Sequence, residues 1–122
     1  KVEAAKELVL QPQSDVESVR RFLHSVGFRI DDEQMVYEDR VYYTVIRAVF
    51  GKEKYDRKMD YVFGKINIDK KSSVLKQYIF DVMQKNVKII EKLEKTDTEN
   101  SENRLKELSE FQIMCKEVYK CL

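Results

Sequence analysis

The sequence predicts an α/β fold: the C-terminal half of a larger doubly wound sheet, followed by an antiparallel two-helix hairpin. Residues 1–50 have the pattern of strand, helix, strand and strand, whereas residues 72–122 have the pattern of two long amphipathic helices. A polar connector over residues 51–71 joins the two parts. The 122 residues include only three Gly and one Pro, which favours long helices over an all-β fold.

The charge and cysteine content limit the classes of protein that fit. The formal net charge is +1, so any site for a polyanion has to be a local patch. Cys115 and Cys121 lie almost two turns apart on a predicted helix, too far for a disulfide, which is typical of reduced thiols in a cytoplasmic protein. Residues 1–5 do not begin a secretory signal, and no run of about 18 apolar residues predicts a membrane span. His24, the single histidine, has no ligand-spaced partner, so no metal site is predicted.

The first predicted elements are a short strand and a helix. Leu8–Leu10 form a continuous apolar run, the pattern of a strand buried on both faces. Pro12 cannot donate to a strand ladder and fits just past the strand end. Ser14 and Glu17 have the spacing of a capping box, which predicts a helix over residues 15–26 that ends at Gly27. Its predicted buried face consists of Val16, Val19, Leu23 and Val26, while Arg20, Arg21 and His24 fall mostly off that face.

Two further strands form a predicted hairpin over residues 28–37 and 41–50, joined by Glu38-Asp39-Arg40. Both alternating sets of the second strand are largely apolar, so this strand needs cover on both faces and a strand on each side. One helix covers only one face, and the first strand lacks an outer neighbour. The sequence therefore predicts half a sheet, with an open edge at Leu8–Leu10 that pairs with another strand or with a second copy of the chain.

The remaining residues predict a connector and a helical hairpin. Tyr61-Val62-Phe63 is expected to dock on the α/β part. A long helix begins at Ser72 or Ser73 and ends at about Glu94, and its heptad seam consists of Leu75, Ile79, Val82, Asn86, Ile89 and Leu93. A polar turn over residues 95–100 precedes a second helix over residues 101–122. Asn86, the polar residue in the seam, is predicted to fix the register of the hairpin.

The stretch LVLQPQSDVESVRRFLHSVGFRIDDEQMVYEDRVYYTVIRAVFG closely resembles the end of the methyltransferase domain of bacterial tRNA (adenine(22)-N1)-methyltransferases. FGKINIDKKSSVLKQYIFDVMQK is similar to the family's FGP segment and first coiled-coil helix, and LKELSEFQIMCKEV is similar to the second helix, so the resemblance covers nearly the whole chain. It implies a class I (Rossmann-like) methyltransferase sheet, in which residues 8–11 form the fifth strand. Residues 41–50 are then the antiparallel seventh strand, between the fifth and the sixth. The chain departs from the family at Gln13, where Asn is usual, and at Arg40-Val41, where Gly-Lys is usual.

The resemblance also implies a function and its partners. The cofactor is expected to be S-adenosylmethionine, bound by a missing N-terminal half, and the substrate is expected to be tRNA. The glycine-rich cofactor loop and the catalytic loop belong to that half, so the catalytic residues are unknown and the segment alone is expected to be inactive. The alternative from another class is a stand-alone helical hairpin that binds a protein partner and has no enzymatic activity.

Two groups of residues are candidates for the site. Gln11, Pro12 and Gln13 follow the first strand at its carboxyl end, where ligands bind in open α/β sheets, and are expected to contact the substrate. The simpler alternative is that Pro12 only ends the strand. The candidates for contact with RNA phosphates are Arg20, Arg21, Lys65, Lys70, Lys71 and Lys76. A solvated charged face is the alternative for these lysines, because acidic residues lie between them and along the first long helix.

Overall fold

A computed structural model describes residues 7–96 and 98–122, so the prediction for residues 1–5 lies outside the described residues. The chain divides into two compact units, with the boundary between Leu75 and Lys76. The elements in chain order are β1 (Glu7–Leu10), α1 (Val16–Ser25), β2 (Phe28–Glu38), β3 (Val41–Phe50), a π-helix (Asp60–Gly64), α2 (Lys65–Asp69), α3 (Ser73–Glu94) and α4 (Glu99–Cys121).

The three strands form one antiparallel sheet in the order β1-β3-β2. β3 pairs with β1 through Leu8↔Ala48 and Leu10↔Ile46, and it pairs with β2 from the turn to Phe50. This order is the one expected for the fifth, seventh and sixth strands of a class I methyltransferase sheet, so the predicted strand arrangement is confirmed. Among the described residues, β1 has no strand on its outer side.

A two-residue turn, Asp39-Arg40, joins β2 and β3. Both residues have positive φ, 51° and 64°, as in the type I′ turn whose twist matches the flanking strands. Glu38, which the sequence assigned to the link, is instead the last residue of β2 and pairs with Val41.

β2 is interrupted by an irregularity between Ile30 and Asp32. A bulge of this kind adds one residue and reverses which side chains share a face. Glu33 is therefore placed opposite Ile46, on the face that packs in the core, and its side chain is buried. Simple alternation along the strand would have placed Asp32 there instead.

The predicted cap of α1 is wrong by one residue. Asp15, not Ser14, is the N-cap, and its carboxylate accepts a hydrogen bond from the Ser18 amide at 3.3 Å. A carboxylate at a helix N-terminus also interacts favourably with the helix dipole. Glu17 does not complete a capping box but forms an ion pair with Arg21 at 2.9 Å.

The predicted buried face of α1 also needs correction. Leu23 is buried as expected, but Val26 lies beyond the helix end and is 47% exposed. Arg20 is instead the buried residue, with only 2% of its surface exposed. The buried face of α1 thus carries a charge that needs partners inside the protein.

The core of the first unit lies on one face of the sheet. It comprises Leu23, Phe28, Ile30, Ile46, Ala48, Tyr55 and Tyr61. On the opposite face, Val9 is 64% exposed and Val41 is half exposed. Arg47 on that face bonds Glu7 at 2.7 Å and Asp31 at 2.6 Å across the strands. Within the first unit, α1 and the connector cover one face only.

The connector is an ordered part of the fold. Tyr61 and Phe63 in the π-helix, and Ile68 in α2, are buried. The backbone carbonyls of Tyr61 and Val62 accept hydrogen bonds from Arg20 of α1. The prediction that this segment docks on the α/β part is therefore confirmed.

The second unit is an antiparallel pair of helices. Lys76, near the start of α3, lies 5.2 Å from the ring centre of Tyr119, near the end of α4. Asn86 of α3 donates to Gln112 of α4 at 3.2 Å, as expected for a polar residue in the seam. α4 begins two residues earlier than predicted because Thr98 and Ser101 form a capping box.

Candidate functional site

The carboxyl end of β1 is the first part of the candidate site. Gln11 and Gln13 are exposed there and Pro12 is half-buried. β1 stops at the Leu10↔Ile46 pair, whereas β3 begins at Val41, so the tip of the β2–β3 hairpin extends past the same edge of the sheet. Because ligands bind at the carboxyl edge in open α/β sheets, the amide groups of both glutamines are available at that edge. Their role as substrate contacts stays a prediction.

Arg20 does not fit its predicted role as an RNA contact. Its guanidinium forms a bidentate pair with Glu33, with contacts of 2.9 and 3.0 Å, and donates to the Tyr61 carbonyl at 2.7 Å. Both side chains of the ion pair are almost completely buried. A buried guanidinium whose donors are occupied cannot reach a phosphate, so this prediction is wrong for Arg20.

The buried cluster of Arg20, Glu33 and Asn67 is the structural centre of the first unit. Asn67 donates to Glu33 at 3.2 Å and to the Phe63 carbonyl at 3.1 Å. Gly64 closes the cluster, since a Cβ there would lie 2.7 to 2.9 Å from atoms of all three side chains. The cluster joins α1, β2, the π-helix and α2. The sequence carries no signal that would have found it, because a positive charge next to the apolar stripe of a helix is usually solvated.

A second polar network surrounds the single histidine. The Tyr55 amide donates to Tyr61 Oη at 3.2 Å, and Tyr61 Oη lies 2.8 Å from His24 Nδ1. His24 Nε2 lies 2.7 Å from Glu53 Oε1. A proton on Nε2 allows this nitrogen to donate to the Glu53 carboxylate. The network fastens the segment after β3 to α1. Burial raises the pKa of the Tyr55 phenol, so this group stays neutral.

The other predicted RNA contacts have different surroundings. Arg21 is exposed, and its guanidinium lies 4.4 Å from the ring centre of Tyr61. Lys65 forms an ion pair with Asp69 at 2.9 Å, and this hydrogen bond raises the pKa of Lys65. Lys70 donates to the backbone carbonyl of Glu33. Lys76 lies over the ring of Tyr119. Lys71 is exposed.

The structure brings Lys70 and Lys71 together at one cavity. This open cavity has a volume of about 350 Å³, and Gln34, Met35, Ser72, Ser73 and Val74 line it with the two lysines. None of the described residues that line it carries a carboxylate. Two ammonium groups and two hydroxyls in a cavity of this kind suit an anionic oxygen ligand.

Metal and membrane sites find no support in residues 7–96 and 98–122. These residues contain no group of three His, Cys, Asp or Glu side chains placed to hold a metal ion. None of their helices combines the length and the apolarity that a bilayer crossing requires. Burial raises the pKa of the Cys115 thiol to about 11, which leaves it protonated and unreactive at neutral pH.

Comparisons with known proteins agree with this geometry. The B. subtilis M1A22 tRNA methyltransferase TrmK is 25% identical, with a TM-score of 0.81 over 93% of this chain and 51% of that one. The S. pneumoniae protein Sp1610, solved in complex with S-adenosyl-L-methionine, is 26% identical, with a TM-score of 0.68 over 94% and 48%. An uncharacterized protein from Listeria monocytogenes serotype 4b is 17% identical, with a TM-score of 0.90 over 97% and 53%, which shows a shared fold.

The chain thus spans about half the length of these solved structures. A search of the curated proteins finds no match. The model of one family, tRNA (adenine(22)-N(1))-methyltransferase or TrmK, matches residues 1–117. With this match over nearly its whole length, and with the β1-β3-β2 sheet, the chain belongs to the TrmK family of tRNA methyltransferases.

Proposed function

We propose that this chain is the C-terminal segment of an S-adenosylmethionine-dependent enzyme that methylates N1 of an adenine in tRNA. The observation that carries the proposal is the family match over residues 1–117 in a chain that spans about half of the solved structures it matches. The antiparallel strand order supports it, because β1-β3-β2 suits the end of a class I methyltransferase sheet. The S. pneumoniae relative, solved with S-adenosyl-L-methionine, supports the choice of cofactor.

The segment supplies the substrate side of the enzyme rather than the cofactor site. Its glycines stand singly at positions 27, 51 and 64, so it contains no glycine-rich loop of the kind that binds the cofactor in such sheets. The cofactor and the catalytic loop therefore belong to the other half of the enzyme, and this segment alone is inactive. N1 of adenine lies on the Watson–Crick edge, so the base is unpaired or turned out before transfer. We expect Gln11 and Gln13 to contact it, because both are exposed at the carboxyl end of β1.

The tRNA is held by exposed basic residues after β3 and along α3, with phosphate contacts that weaken as salt rises. Lys70 and Lys71 share a cavity without a carboxylate, which supports their assignment to the RNA. Arg21 and Lys76 are further candidates, because both residues are exposed. A tRNA-modifying enzyme of this kind works in the cytoplasm.

The test is methyl transfer by the complete enzyme. Purified full-length protein, S-adenosylmethionine and an unmodified tRNA transcript are incubated, and N1-methyladenosine is measured by mass spectrometry of the digested RNA. We expect methylation at one adenine by the complete protein and none by residues 1–122. S-adenosylmethionine binding by residues 1–122 alone, measured by calorimetry, would contradict the assignment of the cofactor to the other half.

The alternative, a stand-alone helical hairpin that binds a protein, predicts a different coding sequence upstream of Lys1. A start codon close to Lys1 favours the module, whereas an upstream glycine-rich strand–loop–helix and three further strands favour the enzyme. No observation on the described residues favours the module over the enzyme.

A further inference from the structure

Lys71, which follows α2, has a backbone conformation that is unusual for its residue type. Its φ is +53°, in the left-handed region that Gly enters without a steric cost. The amide of Lys71 donates to the Ile68 carbonyl and the amide of Ser72 donates to the Asn67 carbonyl, both at 3.0 Å. These two bonds form a Schellman motif with Lys71 at the C′ position, where Gly is usual. A lysine therefore stands where a glycine would make the turn more stable.

Among the described residues, the ammonium group of Lys71 also has no partner, unlike those of the neighbouring lysines. Lys65 is paired with Asp69 at 2.9 Å, and Lys70 donates to the Glu33 carbonyl and lies 4.0 Å from Asp32. Within residues 7–96 and 98–122, no side-chain hydrogen bond or ion pair is found for Lys71. The strained residue thus presents a free ammonium group to solvent.

Lys71 also lines the cavity of about 350 Å³, together with Lys70, Ser72, Ser73 and Gln34. Two cations, two hydroxyls and an amide, with no carboxylate in the lining, give donors that match the oxygens of a phosphodiester. A carboxylate in the lining would have offset the lysine charges and repelled the phosphates of RNA.

We propose that Lys71 binds a backbone phosphate of the tRNA at this cavity, and that this contact is why lysine rather than glycine occupies the C′ position. The inference rests on the proposed function and assigns a specific residue to the RNA. It predicts that stability and RNA binding respond in opposite directions when Lys71 is replaced by glycine.

Three variants of the full-length enzyme separate charge from strain. Lys71→Gly removes both, Lys71→Ala removes only the charge, and Lys71→Arg keeps both. We expect Lys71→Gly to raise the thermal midpoint by about 2–4 °C. Both neutral variants should weaken tRNA binding about three- to tenfold at 0.1 M salt, and reduce the slope of log K against log salt by about one. Lys71→Arg should match the wild type in both measurements.

Lys106→Ala is the matched control, because it removes an exposed lysine of α4 that is not a candidate for the RNA site, and its salt slope should stay close to that of the wild type. A wild-type salt slope in Lys71→Ala overturns the proposal, as does a thermal midpoint in Lys71→Gly no higher than that of the wild type.

A further experiment measures the thermal midpoint with inorganic phosphate added at matched ionic strength. A wild-type midpoint that rises with phosphate, together with an unchanged tRNA slope in Lys71→Ala, identifies a free-anion site and also overturns it. Failure of the proposed function would give a different result, because the wild-type enzyme would then form no N1-methyladenosine.

Discussion

At the residue scale, the buried ion pair between Arg20 and Glu33 makes a test of how the first unit is held together. Arg20→Met leaves the Glu33 carboxylate buried without its cation, so the variant should lose about 3–5 kcal/mol of unfolding free energy. Arg20→Met combined with Glu33→Leu removes both charges and should recover most of that loss. Urea unfolding of the two variants measures both values. A double variant as unstable as the single one would show that Arg20 acts through its other contacts, such as its hydrogen bonds to the Tyr61 and Val62 carbonyls, rather than through the pair.

Gly64 and Gly27 form a matched pair that tests how tightly Gly64 packs against the buried cluster of Arg20, Glu33 and Asn67. Both have positive φ, 92° and 87°, so replacement by Ala strains the backbone at each position by at least about 1–2 kcal/mol. A Cβ at Gly27 meets nothing within 4 Å, whereas one at Gly64 meets Asn67 Nδ2 at 2.7 Å. Gly64→Ala should therefore cost about 1–3 kcal/mol more than Gly27→Ala, through overpacking. Equal losses for the two variants in thermal unfolding would mean that the cluster can relax.

At the element scale, the residues that obey a simple period were predictable and those set by distant contacts were not. The heptad seam of α3 located that helix, and the apolar pattern of residues 41–50 located β3 at its observed bounds. The bulge in β2 could not be predicted from alternation along the strand, because it places Glu33 against Arg20 of another element. The π-helix could not be predicted from the sequence, because its contacts are hydrogen bonds to α1 and no local pattern marks it.

In the candidate site, too, local sequence signals could be predicted and features set by distant contacts or by backbone conformation could not. Gln11 to Gln13 could be placed at the carboxyl edge because a strand end is a local signal. The burial of Arg20 could not be foreseen, since charge next to an apolar stripe is usually solvated. The special role of Lys71 depends on a positive φ, which no side-chain pattern reports.

The helical hairpin carries a prediction of its own at Asn86 and Gln112. Gln112 accepts from Asn86 at 3.2 Å and donates to the Met83 carbonyl at 3.2 Å. Asn86→Leu removes the donor and leaves a buried amide oxygen unpaired, which should cost about 1–3 kcal/mol. Asn86→Leu with Gln112→Leu should be close to neutral or stabilising, because both polar groups are gone. Chemical denaturation distinguishes these cases, and a single variant as stable as the wild type would remove Asn86 from the list of register-setting residues.

At the scale of the whole molecule, the outer edge of β1 and the sheet face left uncovered by the described elements of the first unit predict that residues 1–122 alone associate. Val9 is 64% exposed on that face, and β1 has no outer strand among the described residues. Open apolar edges recruit other chains, and charges on an edge strand prevent this. Light scattering after size exclusion should therefore give a mass above 14.6 kDa that rises with concentration.

Val9→Lys should shift the chain toward the monomer, because it places a charge on the edge strand. Ile113→Lys is the matched control, since Ile113 is similarly exposed, at 57%, but lies on α4. The control should associate like the unmodified chain. Co-expression with the N-terminal half of the enzyme should abolish association by covering the same face and pairing with β1. A wild-type chain that stays monomeric at all concentrations, or equal effects of the two lysine variants, would contradict association through β1.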